Sequence, residues 1–385
     1  MRDACLFHSL HEEIQVPNDS DRRAIIRFNS RDDFNRWLRL RDTLIPALPR
    51  LAYVQPLPMI HAFACPLSCA GQLASFPSVL SVEEDCKTAV VHGLPEFRRS
   101  STIKLSGDHP YIPWGVSHIK APLTWNRTTG DRVRVAVIDT GIDYNHPDLQ
   151  HAIENGINLI HRHALPVDDN GHGTHIAGTI AASARQTGIA GVAPQASIHP
   201  VKAFDENGTA YVSDIIYGIY WCLRNRIDVV NMSFGMKHHS RALEDAVRTA
   251  YYSGMIIVAS SGNDGRTSRI DYPARFPHTL SVGATNKKGQ IASFSNKSKY
   301  IDIYAPGEKI VSTWLRGEYQ ELSGTSMATS HVSGVVALLL SANRKLTPRK
   351  IKSILRRNAS RIASKRLVSS ETGELNAYRS VKSAL

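Results

Sequence analysis

The chain has 385 residues, 42% of them hydrophobic, which suits one small and one larger domain with ample apolar material for both. The formal net charge is +12, yet no nucleic-acid fold motif accompanies the cations, so nucleic acid is not an expected partner. Five cysteines at irregular spacings argue against a disulfide framework, and no segment is expected to span a bilayer.

Residues 1–20 carry acids and no apolar centre, so they do not read as a signal peptide. If the chain is complete, it is expected in the cytoplasm; a missing leader would make it secreted. This stretch is an N-terminal extension to a small α+β domain at residues 21–92. There, residues 22–28 predict a strand, and 31–41 a charged helix with Phe34, Trp37 and Leu38 on one face. Residues 51–55 and 61–64 predict two more strands, 69–76 a second helix, and 79–91 a last strand around S-V-E-E-D. This β-α-β-β-α-β order is a ferredoxin-like layout. Residues 93–109 are polar, contain Arg98-Arg99, and predict an exposed linker.

Residues 110–385 form the larger domain. Residues 131–141 read D-R-V-R-V-A-V-I-D-T-G, a buried strand that ends in the carboxylate of Asp139 and is stopped by Gly141. Residues 171–182 read G-H-G-T-H-I-A-G-T-I-A-A, a helix opened by His172 and rich enough in Gly and Ala to pack closely. The apolar strand 255–259 runs into S-S-G-N-D-G, which places Asn263 in a turn. G-T-S-M-A at 324–328, followed by the apolar run 335–340, sets Ser326 at the mouth of a buried helix. Unpaired N–H groups and the positive helix end favour negative charge on an oxygen bound there. Residues 347–356 predict a basic helix with Thr347 as its N-cap and Pro348 in first position. The cations of 345–366 read as a solvated face.

Asp139-Thr140-Gly141 also matches the aspartic protease motif, but that chemistry needs a second such carboxylate and no other D-T-G or D-S-G occurs. Asp168, Asp169, His172 and His175 lack the H-E-x-x-H spacing of a zinc site, and His175 reads as a packing residue.

These segments are joined by V-I-D-T-G-I-D-Y-N-H-P-D-L at 137–149, G-V-A-P at 191–194, N-M-S-F-G at 231–235, Y-P-A-R-F-P at 272–277 and Y-A-P-G at 304–307. Together with G-T-S-M-A-T-S-H-V-S-G at 324–334 they resemble the blocks of the subtilisin-like serine proteases (subtilases), in family order from about residue 113 to the end. The order Asp139, His172, Ser326 is the one known in subtilisin. The resemblance implies a three-layer α/β domain around a mainly parallel sheet, and a serine endopeptidase working through an acyl-enzyme. Ser326 would be the nucleophile, His172 the base, Asp139 the orienting acid and Asn263 the oxyanion donor. Substrate peptide would add as a strand along Gly208, Thr209 and Ala210 and along Ser233, Phe234 and Gly235. The pocket for the residue before the cut (P1) would be lined by Phe234, Gly235, Ser260, Ser261, Gly262 and Ala274. That lining offers no charge at its base, so an apolar or aromatic P1 is expected, with Asp264 at the rim as a feature that would let a basic residue in and Phe234 narrowing the slot.

The domain at 21–92 resembles, more weakly, the subtilase propeptide. That implies a self-processing zymogen inhibited by its own propeptide and cut within 93–109; Arg98-Arg99 is the alternative site, for another protease. The expected partners are protein or peptide substrates and the chain's own propeptide, with no nucleic acid, no membrane and a monomeric state. No cofactor is expected for the chemistry. The family's tight calcium site would have Pro110 and Arg185 at two ligand positions and only Asp148 retained, so calcium is expected to bind weakly or not at all. Ser330 stands where the family usually has proline. The competing reading is a catalytically weak subtilase that binds anionic polymers.

Overall fold

The computed structural model describes residues 7, 10–12, 14, 22–66, 72–90, 103, 109–184, 187–267, 269–362 and 372–385. The expectations for most of 1–20, for the linker with Arg98-Arg99, for Arg185 and for the basic run beyond residue 362 lie outside the described residues. The chain forms two units: Met1–Lys87 with Tyr211–Tyr220 and Ser240–Thr249, and Thr88–Ala210 with Trp221–His239 and Ala250–Leu385.

In the first unit the strand Arg23–Phe28 is the centre of a four-stranded sheet. It pairs antiparallel with Ala62–Pro66 on one side and Val79–Glu84 on the other, and Gln55–Leu57 completes the sheet beyond Ala62–Pro66. The helix Arg31–Leu44 starts where the Ser30 side chain accepts the Asp33 N–H, and it carries Asp32 and Asp33 in its first turn, where acids suit the helix dipole. It buries Phe34 and Trp37 against Phe28 and Phe63, with ring centroids 5.2 Å apart for Phe28–Trp37 and 5.3 Å for Phe28–Phe63. One expected strand comes out shorter. Pro49 opens a 3-10 helix, Pro49–Tyr53, which leaves only Gln55–Leu57 as strand. Of the second expected helix the described residues hold the 3-10 stretch Gln72–Ser75; its start lies outside them. The acids of V-E-E-D serve as helix caps in this unit. Glu83 accepts the Ser240 hydroxyl and the Ala242 N–H at the start of helix Arg241–Tyr252. Asp85 accepts the Ser213 N–H and hydroxyl at the start of helix Val212–Arg224, and it also meets the Arg23 guanidinium at 3.0 Å.

The second unit is built on a seven-stranded sheet in which every pairing is parallel. Its order is Ile303–Pro306, Leu280–Thr285, Ile256–Ser260, Val229–Met232, Arg134–Asp139, Ser197–Lys202, Ile157–Asn158. The central strands are apolar runs without alternation, as expected when both faces are covered. This is the expected α/β architecture. Two helices pack together on the sheet: His172–Ala181, the histidine helix, and Thr325–Ala342, the serine helix. The histidine helix also lies close to the strand end before it and to the strand Ile310–Thr313, where side chains are missing. A Cβ on Gly173 would collide with the Gly141 carbonyl, and one on Gly178 with the Thr313 hydroxyl.

Residues 325–340 of the serine helix are all buried. Contrary to expectation, this helix is long and apolar enough to cross a membrane, but 89% of it lies inside the protein. The basic helix Pro348–Arg357 starts as expected, with Thr347 accepting the Lys350 N–H; it buries Ile351 and Leu355 and exposes Arg349, Lys350, Arg356 and Arg357. The exception to the expected solvated face is Lys352, whose ammonium meets Asp302 at 2.8 Å and donates to the Thr279 carbonyl at 3.1 Å.

Candidate active site

Three strand ends and two helix starts meet where the parallel sheet runs out. The strand Arg134–Asp139 delivers Asp139 with no exposure, and the Thr140 N–H that follows donates to Asp139 Oδ1 at 2.8 Å. His172 is the first residue of the histidine helix, and its Nδ1 meets the two oxygens of Asp139 at 2.8 and 2.9 Å. With Nδ1 held as a donor to the carboxylate, Nε2 is the nitrogen left to act as a base.

The geometry of this pair is set by a residue that the sequence did not single out for the purpose. The Asp168 carboxylate accepts the Thr140 hydroxyl and the Asn170 and Gly171 N–H groups on Oδ1, and the Thr174 N–H and hydroxyl on Oδ2. Gly171 has no side chain to cap the helix, so Asp168 caps it from the preceding loop. The Thr140 hydroxyl in turn accepts the Gly173 N–H at 3.0 Å. On the far side the Lys202 ammonium, 2% exposed, donates to the Thr140 carbonyl and to Asp169, each at 2.6 Å. The Asx-turn pattern D-D-N-G was the available signal for Asp168; Lys202 had none. Among the described residues no group of three or more His, Cys, Asp or Glu could hold a metal ion, and Asp168 and His175 are committed to hydrogen bonds instead.

Ser326 is the second residue of its helix and fully buried, and its hydroxyl donates to the Ser233 carbonyl at 3.0 Å. The Asn263 carboxamide is fixed by the residue before the serine. Its Oδ1 accepts the Thr325 N–H at 2.9 Å and the Thr325 hydroxyl at 2.8 Å. Its Nδ2 is buried and has no hydrogen-bond partner among the described residues. A buried donor without an acceptor costs about 1–3 kcal/mol, so its retention calls for a functional explanation. Ser330, in the usual place of proline, turns its hydroxyl back to the Met327 carbonyl at 2.7 Å.

The expected substrate edges form a sheet of their own. Phe234–Gly235 and Thr209–Tyr211 flank the strand Lys87–Val90. Val90 and Ala89 pair antiparallel with Phe234 and Gly235, the Thr88 hydroxyl donates to the Gly235 carbonyl, and the Val90 N–H donates to the Gly208 carbonyl at 2.9 Å. Phe234 is fully buried, with its ring 5.1 Å from that of Phe204. A charge lies against two of the expected lining residues. Asp271, 6% exposed, lies between the two glycine walls. A Cβ on Gly235 would come within 2.7 Å of its Oδ2, and one on Gly262 within 2.5 Å. The sequence gave no sign of this because Asp271 lies outside the motif Y-P-A-R-F-P that follows it.

Asp148, the one retained calcium-type ligand, has Oδ2 occupied by the Ile189 N–H and the Tyr319 hydroxyl, both at 2.8 Å. Both bonds fall on Oδ2, the oxygen that faces Ile189 and Tyr319.

Comparison with known proteins followed the same lines. A model of the subtilase family matches residues 130–379. Subtilisin E of Bacillus subtilis is 42% identical over 293 residues, covering 75% of this chain and 72% of that protein. Subtilisin of Bacillus pumilus is 43% identical over 258 residues (66% and 93%), and subtilisin Savinase of Lederbergia lenta is 42% identical over 260 residues (67% and 95%).

Two further histidines lie fully inside this unit. Burial, together with the nearby charge of His172, pushes His175 down to about 3, and burial pushes His331 down to about 4. Their ordinary value is 6.5, so above that pH they cost the fold nothing. Below it the unfolded chain takes up protons that the native state refuses. Stability is therefore expected to fall with pH below 6.5, by up to about 1.4 kcal/mol per pH unit for each histidine. The check is the imidazole NMR signals, which should stay in the neutral position for both rings at pH 5 while the urea midpoint drops.

Proposed function

The chain belongs to the subtilase family of serine endopeptidases, and on that premise we propose that it cleaves peptide bonds through Asp139, His172 and Ser326. The Ser326 oxygen adds to the substrate carbonyl carbon while its proton passes to His172 Nε2. The carbonyl electron pair moves onto oxygen, where Asn263 Nδ2–H and the Ser326 backbone N–H receive it. His172 then hands its proton to the departing amine as the C–N bond breaks, leaving an ester on Ser326. Water repeats the sequence with the ester in place of the amide. Asp139 keeps Nδ1 protonated and offsets the charge of the imidazolium. No cofactor takes part.

The observation that carries this reading is Asn263. Thr325 locks its oxygen, which leaves a buried, unpartnered N–H beside the helix end that carries Ser326. In a resting protein that donor is a liability; for an oxyanion it is a preorganised partner. The bonding of Asp139 to His172 supports the same assignment.

The proposed enzyme is a self-processing zymogen. In support, Ala89 and Val90 add as a strand to Gly235 and Phe234, the mode in which a peptide substrate would lie. An own-chain segment held there keeps substrate out until it is cut away downstream, in the stretch 93–109. Tight calcium binding is not part of the proposal, because Asp148 is already engaged by Ile189 and Tyr319.

Intact-mass measurement and N-terminal sequencing test the reading. The wild type is expected to lose its N-terminal domain, with a new N-terminus in 93–109, while Ser326→Ala stays full length. Both chains remaining intact, with no fluorophosphonate label on Ser326, would sink the proposal. Asn263→Ala is expected to lower kcat by about 10²–10³ with little change in KM, read from steady-state kinetics on a peptide substrate. Chelation by EDTA is expected to move Tm by less than about 2 °C; a larger drop reversed by calcium alone would show a tight site.

A further inference from the structure

The P1 pocket contains an ion cluster that an uncharged slot would not need. Asp271 sits between the Gly235 and Gly262 backbones, in the space where a P1 side chain would enter. Its two oxygens each receive the Lys237 ammonium at 2.8 Å, and the same ammonium also bonds Asp264. The Asp271 side chain is 7% exposed, whereas those of Lys237 and Asp264 are 47% and 34% exposed. The carboxylate is thus a fixed part of the floor, and the lysine reaches it from the solvent side on a flexible stem. Arg266 approaches only the rim, with its Nε 3.9 Å from Asp264. Asp271 is anchored by its own backbone, whose N–H donates to the Ser261 carbonyl at 3.0 Å, and by the bridge between its neighbour Tyr272 and Met236.

We infer that Asp271 is a specificity-determining residue that sets P1 selection toward lysine and arginine, and that Lys237 occupies the place of the substrate cation until one arrives. This rests on the endopeptidase reading above. The structure already holds an ammonium in the site, so a cation of that size fits between Asp271 and Asp264. An arriving basic side chain exchanges with Lys237, whose charge returns to water, and the buried carboxylate never loses its partner. An aromatic or aliphatic P1 side chain offers no such exchange. It must either displace Lys237 and leave Asp271 buried and unpaired, or stop short of the floor. An acidic P1 side chain meets two carboxylates. Burial pushes the Asp271 carboxyl up from its ordinary range against the opposing pull of Lys237, which is the condition of a carboxylate that gains from a close cation.

The test uses the enzyme matured from the full-length chain with a fluorogenic peptide series varied only at P1, on wild type, Lys237→Met and Asp271→Ser. Fluorophosphonate labelling of Ser326 runs in parallel and reports the nucleophile independently of P1. Arg and Lys are expected to give the highest kcat/KM in the wild type. Lys237→Met is expected to raise kcat/KM for Arg about fivefold, the worth of a half-exposed ion pair removed as competitor. Asp271→Ser is expected to lower the Arg-to-Phe ratio by roughly 100-fold while labelling continues at the wild-type rate. Normal labelling with Phe, Leu or Val best in both wild type and Lys237→Met would overturn the assignment and make the cluster a closed floor. Neither labelling nor turnover of any peptide would overturn the endopeptidase reading, and this inference with it.

Discussion

The arrangement of the site depends on one carboxylate that does no chemistry. Asp168 gathers five donors from the strand end at Thr140 and from the first turn of the histidine helix. Asp139 is the neighbour of Thr140, and His172 lies between Gly171 and Thr174. The two members of the proposed acid–base pair are therefore set by a shared clamp rather than by their own contact alone. A helix opened by glycine has no cap of its own, and this loop acid supplies one while fixing the helix to the sheet. Lys202 holds the same Thr140 residue from the opposite side through its carbonyl.

The serine helix adds a second constraint. It runs through the middle of the larger unit, so each polar group on it must find a partner inside the protein. Thr329 and Ser330 bond back to their own helix, and Ser333 reaches Asn231, whose amide in turn donates to Ser233. Ser233 then accepts the Ser326 hydroxyl on its carbonyl. Ser326, the proposed nucleophile, thus stands at the end of a hydrogen-bonded chain that crosses from helix to sheet. Core packing and the placement of its oxygen are the same set of contacts there.

Much of this could be read from the sequence because the reacting groups sit at element boundaries, where pattern and punctuation are strongest. Alternating valines ended at Asp139, a glycine-flanked histidine opened a Gly- and Ala-rich helix, and G-T-S preceded an apolar run. The family resemblance then assigned roles to those positions. What was not legible was tertiary. Asp271 and Lys237 meet only because a bridge between Met236 and Tyr272 sets their chain segments side by side. Phe234 turned into the core toward Phe204, a choice no local pattern encodes. In the first unit, Pro49 turned an expected strand into a 3-10 helix. The four-stranded sheet forms all the same, because its order is set by the pairing of the strands themselves.

The apolarity of Thr325–Ala342 also bears on how the chain can be made. All seven strands of the parallel sheet precede it in sequence, so the sheet face that covers it has already been synthesised when it emerges, and the C-terminal helix Ala377–Lys382 is still to come. A segment with the composition of a membrane anchor is thereby given little time in water or near a lipid surface. Its position in the gene acts as protection, and a circular permutant beginning at this helix would forfeit it, presenting the insertion and chaperone machinery with a greasy leader that has nothing yet to fold against.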